Sequence, residues 1–215
     1  MNYTQQVQKF KKDYVAKIPN NVQAIMQRAT DELTTSKETF GLNAGTKAPN
    51  FTLQNHNKIP VTLYEELKKG PVILTFYRGV WCPYCNMELR AYQSILDQLK
   101  EQNIQLLAIS PQIPDPTLTT HEKNQLQYHV LSDLDDKVSE TYGLKFTVPD
   151  YMREYYIKFG ANLPLYNGND SWTLPIPATY LINKTGEIIF THVNPDYTSR
   201  IDPQDILQII KNKEA

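Results

Sequence analysis

Cysteine is nearly absent from this chain: of 215 residues only Cys82 and Cys85 carry a thiol. Two thiols and four scattered histidines (His56, His121, His129, His192) lack the spacing of a four-ligand metal site, so no metal is expected. Glycine is also scarce, with 8 residues, and neither Gly-x-Gly-x-x-Gly nor Gly-x-x-x-x-Gly-Lys-Ser/Thr occurs, so no nucleotide cofactor is expected. Neither sign of charge prevails. Lys plus Arg is 22 and Asp plus Glu is 23, a net charge of −1, which removes the basic footprint of a nucleic-acid binder. Apolar runs are short, Pro71 to Phe76 being typical, and fall far below the roughly 20 residues a membrane span needs. The opening residues Met1 to Gln6 show no basic stretch followed by an apolar one. A cytoplasmic setting with reduced thiols is therefore the expectation, and the Asn-x-Ser/Thr triplets at Asn2, Asn50, Asn169 and Asn183 are read as chance.

What is present is an ordinary globular composition, 40% apolar and 21% charged. The length corresponds to roughly 1.4 domains of typical size, which suggests one domain with an extension. The two cysteines lie in Trp81-Cys82-Pro83-Tyr84-Cys85. A structural staple is a poor reading, because closing so short a loop removes on the order of 2 kcal/mol of unfolded-state entropy against about 4.7 for a 100-residue loop. The spacing instead suits a redox dithiol beside a strand–helix unit. Val72 to Tyr77 reads as a buried strand. Pro83 suits the first position of a helix, and Leu89, Tyr92, Leu96 and Leu99 fall on one helical face from there to about Gln102. Both thiols would then sit at a helix N-terminus, where unpaired N–H groups and the helix dipole favour a thiolate, with Arg78 as a nearby positive charge.

Strands are expected at 50–54, 71–77, 104–110, 128–132, 178–183 and 187–193, and helices at 83–102, 116–126, 135–142 and 203–212, with Asp202-Pro203 starting the last. This alternation indicates an α/β fold, a mixed sheet flanked by helices. Residues 1–44 read as a helical extension: Val7, Phe10, Tyr14 and Ile18 form one stripe ended by Pro19-Asn20, and Val22, Ile25, Met26 and Ala29 suggest a second helix. Such an arm either packs on the domain or docks a partner. Residues 144–176, rich in aromatics (Tyr151, Tyr155, Tyr156, Tyr166, Trp172), read as an irregular insertion before the last hairpin, either a lid or a packed subdomain.

The chain resembles the peroxiredoxin family (alkyl hydroperoxide reductase/thiol-specific antioxidant, AhpC/TSA), in particular its Cys-x-x-Cys subgroup, and with it the thioredoxin superfamily. The resemblance runs through Gly45-Thr-Lys-Ala-Pro-Asn-Phe-Thr-Leu53, Phe76-Tyr77, the cysteine region, Leu106-Leu-Ala-Ile-Ser-Pro111, Tyr128-His-Val-Leu-Ser-Asp133, Val138-Ser-Glu-Thr-Tyr-Gly143 and Pro177-Ala-Thr-Tyr-Leu-Ile-Asn-Lys-Thr-Gly186. It implies a thioredoxin-like fold over 45–215. Glu88, three residues after Cys85, places Cys85 on the peroxidatic cysteine. Cys82 then falls where the family has threonine, Arg78 where it has proline, and Pro177 where it has an active-site arginine. Trp81, the paired cysteines and Ile176-Pro177 resemble thioredoxin instead, where that proline follows a cis bond.

Three functions follow as expectations. In the first, Cys85 attacks a hydroperoxide, Cys82 resolves the sulfenic acid as a disulfide, and a thioredoxin-like reductant restores the dithiol. Arg78 would stabilise charge. Glu88 would position a neighbour or merely lie on a solvated helix face. In the second, Cys82 is the better exposed nucleophile of a protein disulfide reductase, with Trp81 and Ile176-Pro177 forming the docking groove. In the third, the pair is a non-enzymatic redox sensor. The resemblance also implies a possible homodimer.

Overall fold

The computed structural model describes residues 3–214, with side chains through Lys211. Two helices open the chain, α1 (Tyr3–Val15) and α2 (Asn20–Thr34). A hairpin, β1 (Thr52–Asn55) and β2 (Pro60–Thr62), leads into α3 (Leu63–Lys69). Then follow β3 (Val72–Phe76), α4 (Pro83–Ser94), α5 (Leu96–Glu101), β4 (Gln105–Ser110), α6 (Pro114–Lys123) and β5 (His129–Ser132). A 3-10 turn at Leu134–Asp136 runs into α7 (Lys137–Thr141). The segment before the final hairpin holds β6 (Lys145–Thr147), α8 (Asp150–Lys158), α9 (Leu163–Asn167) and β7 (Thr173–Pro175). β8 (Ala178–Ile182), β9 (Ile188–Val193) and α10 (Pro203–Glu214) complete the chain.

The main sheet has the order β2-β1-β5-β4-β3-β8-β9. β3, β4 and β5 are parallel, while β8 runs antiparallel to β3 and β9 to β8. This is the mixed α/β sheet of a thioredoxin-like fold. Period-two alternation divides the core. Ile73, Tyr77, Leu106 and Ala108 face Leu89, Tyr92, Leu99 and Ile206 of the helices on one side. Val72, Leu74, Phe76, Leu107 and Ile109, with Tyr180 of β8, face Leu67 and Tyr142 in the other layer. Every residue of β3 is buried, as a central strand covered on both faces requires. The dithiol loop thus leaves from a strand buried along its whole length.

Several expectations need correction. The helix expected over 83–102 is two, because Ile95 leaves helical geometry (φ −110°, ψ 5°) and drives its own side chain into the core. β2 and α3 were not anticipated; a three-residue strand and a seven-residue helix are too short to show a period. The segment 144–176 is not irregular. It forms a hairpin and two helices around a third apolar cluster of Val148, Met152, Leu163, Trp172 and Leu174. α2 packs on it: Ile25, Met26 and Ala29 touch that cluster, and the Arg28 guanidinium lies 4.4 Å from the Tyr151 ring centre. α1 is tied to the other end of the chain, where Thr4 Oγ1 donates to the Asp202 carboxylate at 3.1 Å. Asp202 also caps α10 by accepting the Gln204 N–H at 3.1 Å, as the Asp-Pro pair indicates. The Ile176–Pro177 bond is trans, contrary to the thioredoxin resemblance; among the described residues there is no cis peptide. Ile176 N–H donates to the Leu144 carbonyl and the Pro177 carbonyl accepts from Asn194, so this connector runs extended from β7 into β8.

One polar cluster sits far from the dithiol. His56 and His121 stack with ring centres 3.6 Å apart, near His129. Burial and the neighbouring imidazoles push His56 down to about 4, and burial also lowers His121 and His129. The unfolded chain, with histidine near 6.5, therefore takes up protons more readily than the folded one. The histidines' own contribution to stability is full above about pH 6.5 and is lost as pH falls through the window toward 4. Thermal unfolding followed from pH 7.5 to 4 will show wild type losing more stability on acidification than His56→Gln does. Parallel profiles for the two proteins contradict this reading.

Candidate redox site

The chain leaves β3 at Phe76 and turns tightly before α4. Gly79 makes the turn possible: a Cβ there would lie 2.5 Å from Trp81 Nε1 and 2.7 Å from Gln112 Oε1. Gln112 Oε1 accepts the Val80 N–H at 2.5 Å, and the Cys82 N–H donates to the Gly79 carbonyl. Asn86 closes the turn from behind, donating to the carbonyls of Val80 (2.7 Å) and Cys82 (3.0 Å). Cys82 is the N-cap of α4, its sulfur accepting the Cys85 N–H at 3.4 Å, and Pro83 occupies the first helical position. Both cysteines are free, and their sulfurs lie 2.7 Å apart, within hydrogen-bond distance.

Burial is nearly complete, with Cys82 1% and Cys85 0% exposed. Neither sulfur reaches the surface, although Cys82 rather than Cys85 lines a cavity. Tyr14 from α1, Tyr84 and Tyr197 line this cavity together with Cys82, and it is partly open to solvent. Trp81, Pro83, Pro177 and Arg78 line the same cavity, so the structure does bring these sequence-selected residues together around Cys82.

Arg200 is the residue that the sequence reading missed. It follows β9, 115 positions from Cys85, and its Nη2 reaches the Cys85 sulfur at 3.4 Å. Its Nη1 donates to Glu88 Oε2 at 2.5 Å, a pair whose side chains are 3% and 1% exposed. Glu88 is therefore not on a solvated face; it holds Arg200 on the thiol. The gap left at Pro177, where the resemblance calls for an arginine, was the one available signal. It said that a guanidinium was needed without saying which. Arg78 turns its own guanidinium to the Tyr156 hydroxyl, while its backbone N–H points at Cys85. Tyr3 of α1 enters the same buried cluster.

The charges follow from this geometry. Burial opposes a thiolate at Cys85, but the hydrogen bond shared with Cys82, the Arg200 and Arg78 charges and the Arg78 N–H outweigh it. Cys85 is held well below the usual thiol range. Burial, the shared hydrogen bond and the Cys85 charge raise Cys82 instead. Burial and the Cys85 charge push Glu88 up to about 7 against the pull of Arg200. The site is a buried Cys85 thiolate with a proton donor, Cys82, already in contact.

The AhpC/TSA family profile matches residues 44–191, more than half of the chain. The chain belongs to the AhpC/TSA family. It is similar to the thiol-disulfide oxidoreductase ResA of Halalkalibacterium halodurans, 26% identical over 150 residues, 69% of this chain and 68% of that protein. It is also similar to peroxiredoxin Bcp of Escherichia coli, 30% identical over 103 residues, 48% of this chain and 65% of that protein. Among solved structures, peroxidoxin BcpB of Mycobacterium tuberculosis superposes with a TM-score of 0.63 at 17% identity, covering 81% of this chain and 98% of that one. The AhpC/TSA chain described here is thus a thiol-based oxidoreductase with a thioredoxin-like fold.

Removing Arg200 leaves Glu88 buried without its counter-charge. Arg200→Met should cost about 3–5 kcal/mol by chemical denaturation. In a Cys82→Ser background it should also shift the alkylation profile of Cys85 to higher pH. An unchanged profile would show that Arg200 does not hold the thiolate.

Proposed function

We propose that the protein is a thiol peroxidase in which Cys85 is the attacking sulfur. The observation that carries this reading is the convergence on Cys85 of the Arg200 guanidinium, the Arg78 N–H and the Cys82 thiol. A hydroperoxide needs a thiolate to attack one oxygen and a positive charge for the oxygen that leaves. Cys85 thiolate breaks the O–O bond and becomes a sulfenic acid, and the departing alkoxide or hydroxide takes up a proton beside Arg200. Cys82, at 2.7 Å, then attacks that sulfur and expels water, leaving the Cys82–Cys85 disulfide. Arg200 serves in place of the guanidinium missing at Pro177.

One observation favours the alternative of thiol–disulfide exchange: Cys82, and not Cys85, lines the cavity. In that case Cys82 receives the substrate disulfide and Cys85 resolves the mixed disulfide. The two readings part under substitution. Mixed with peroxide in a stopped-flow instrument, Cys85→Ser should lose reaction entirely, whereas Cys82→Ser should form one sulfenic acid per chain and stop. If Cys82→Ser abolishes the reaction, or wild type consumes peroxide no faster than a free thiol, Cys85 is not a peroxidatic cysteine.

A further inference from the structure

Arg78 is 5% exposed and has no carboxylate partner among the described residues. Its guanidinium lies in an aromatic cage, 4.2 Å from the Tyr197 ring centre, 5.0 Å from Trp81 and 5.3 Å from Tyr156. The Tyr156 hydroxyl takes one of its donors, and Nε has no partner at all. A buried cation needs a nearby negative charge. In the dithiol state the shared Cys82/Cys85 charge serves, and it helps keep Arg78 protonated against burial.

Oxidation removes that charge. A disulfide carries none, Glu88 stays engaged by Arg200, and Arg78 is left uncompensated in the wall of the cavity that Cys82 also lines. The demand for an anion therefore arises in the disulfide state, when the reductant must enter, and not in the dithiol state that meets the oxidant. Access limits the reductant further. Cys82 is 1% exposed and is met through a cavity lined in part by Tyr14 and Met26 of the N-terminal helices, so the sulfur of a reductant must reach past these side chains, which favours a small thiol over the surface of a folded protein.

We propose that the Cys82–Cys85 disulfide is reduced by a low-molecular-weight thiol carrying a carboxylate, which the caged Arg78 recognises beside Cys82. This rests on the dithiol–disulfide cycle proposed above and names its electron donor by chemical class. The thiolate attacks Cys82 Sγ, the S–S bond breaks, and Cys85 leaves as the thiolate that Arg200 and the Arg78 N–H stabilise. A second thiolate attacks the outer sulfur of the mixed disulfide. Cys82 departs and takes a proton from solvent, and the two donor molecules leave as their disulfide.

The test starts from disulfide-form protein, prepared with a chemical thiol oxidant, so that it does not depend on peroxide turnover. Reduction by mercaptoacetate, 2-mercaptoethanol and cysteamine is followed by free-thiol release, each rate divided by that of the same thiol with hydroxyethyl disulfide. Mercaptoacetate should lead 2-mercaptoethanol by about tenfold or more, with cysteamine slowest, as a close desolvated charge pair implies. Arg78→Met should level the three, and Arg78→Lys should keep the order. Equal normalised rates in the wild type overturn the proposal, which needs no variant to fold. So does an order that survives in Arg78→Met, or thioredoxin outpacing mercaptoacetate at equal concentration. If the peroxide reaction fails but the thiol order holds, the donor assignment stands and the peroxidase reading falls.

Discussion

The contact between two sulfurs governs this site. Two sulfurs 2.7 Å apart and buried cannot both be ionised, so the pair holds at most one negative charge. Where that charge rests decides which sulfur is the nucleophile. Burial disfavours charge on either, and the difference between them lies in their donors. Cys85 has the Arg200 guanidinium and the Arg78 N–H, while Cys82 has the Cys85 N–H at the mouth of the helix and no guanidinium donor among the described residues. Placing the charge on Cys85 makes Cys82 the proton donor and later the resolving sulfur.

The rest of the fold serves that placement. β3, buried throughout, fixes the take-off point of the loop. Gly79, Gln112 and Asn86 hold the turn so that the first turn of α4 presents its N–H groups to the sulfurs. Arg200 is brought from beyond β9, and its buried pairing with Glu88 keeps it from swinging into solvent. The N-terminal helices supply cover: Phe10 packs edge-on against Tyr84, and Tyr14 lines the cavity. That cover excludes water, which strengthens every charge interaction beneath it.

Much of this was legible in the residues. Val72–Phe76 is apolar but for the β-favouring Thr75, so the central strand announces itself, and Pro83 marks the start of α4. The Asn183–Gly186 hairpin is equally plain: Asn183 Oδ1 accepts from the N–H groups of Thr185 and Glu187, and Gly186 takes φ +85°. Elements built from tertiary contact were not legible. β2 exists because β1 pairs with it, and α8 is organised by Trp172, Leu174 and α2 more than by any period of its own. The site divides along the same line. Its sulfurs and helix cap are local and could be read; Arg200, the burial of Glu88 and the aromatic cage of Arg78 are products of folding. Burial of both thiols was likewise invisible, because the tyrosines that cover them come from four separate segments: Tyr14, Tyr84, Tyr156 and Tyr197.

The central claim is that the charge rests on Cys85. Selective ¹³Cβ labelling of cysteine, with the two signals assigned through Cys82→Ser and Cys85→Ser, follows each sulfur separately as pH is varied. At neutral pH the account predicts a thiolate signal for Cys85 and a thiol signal for Cys82, with Cys82 ionising only far above the usual thiol range. A thiolate at Cys82 beside a protonated Cys85 would contradict it.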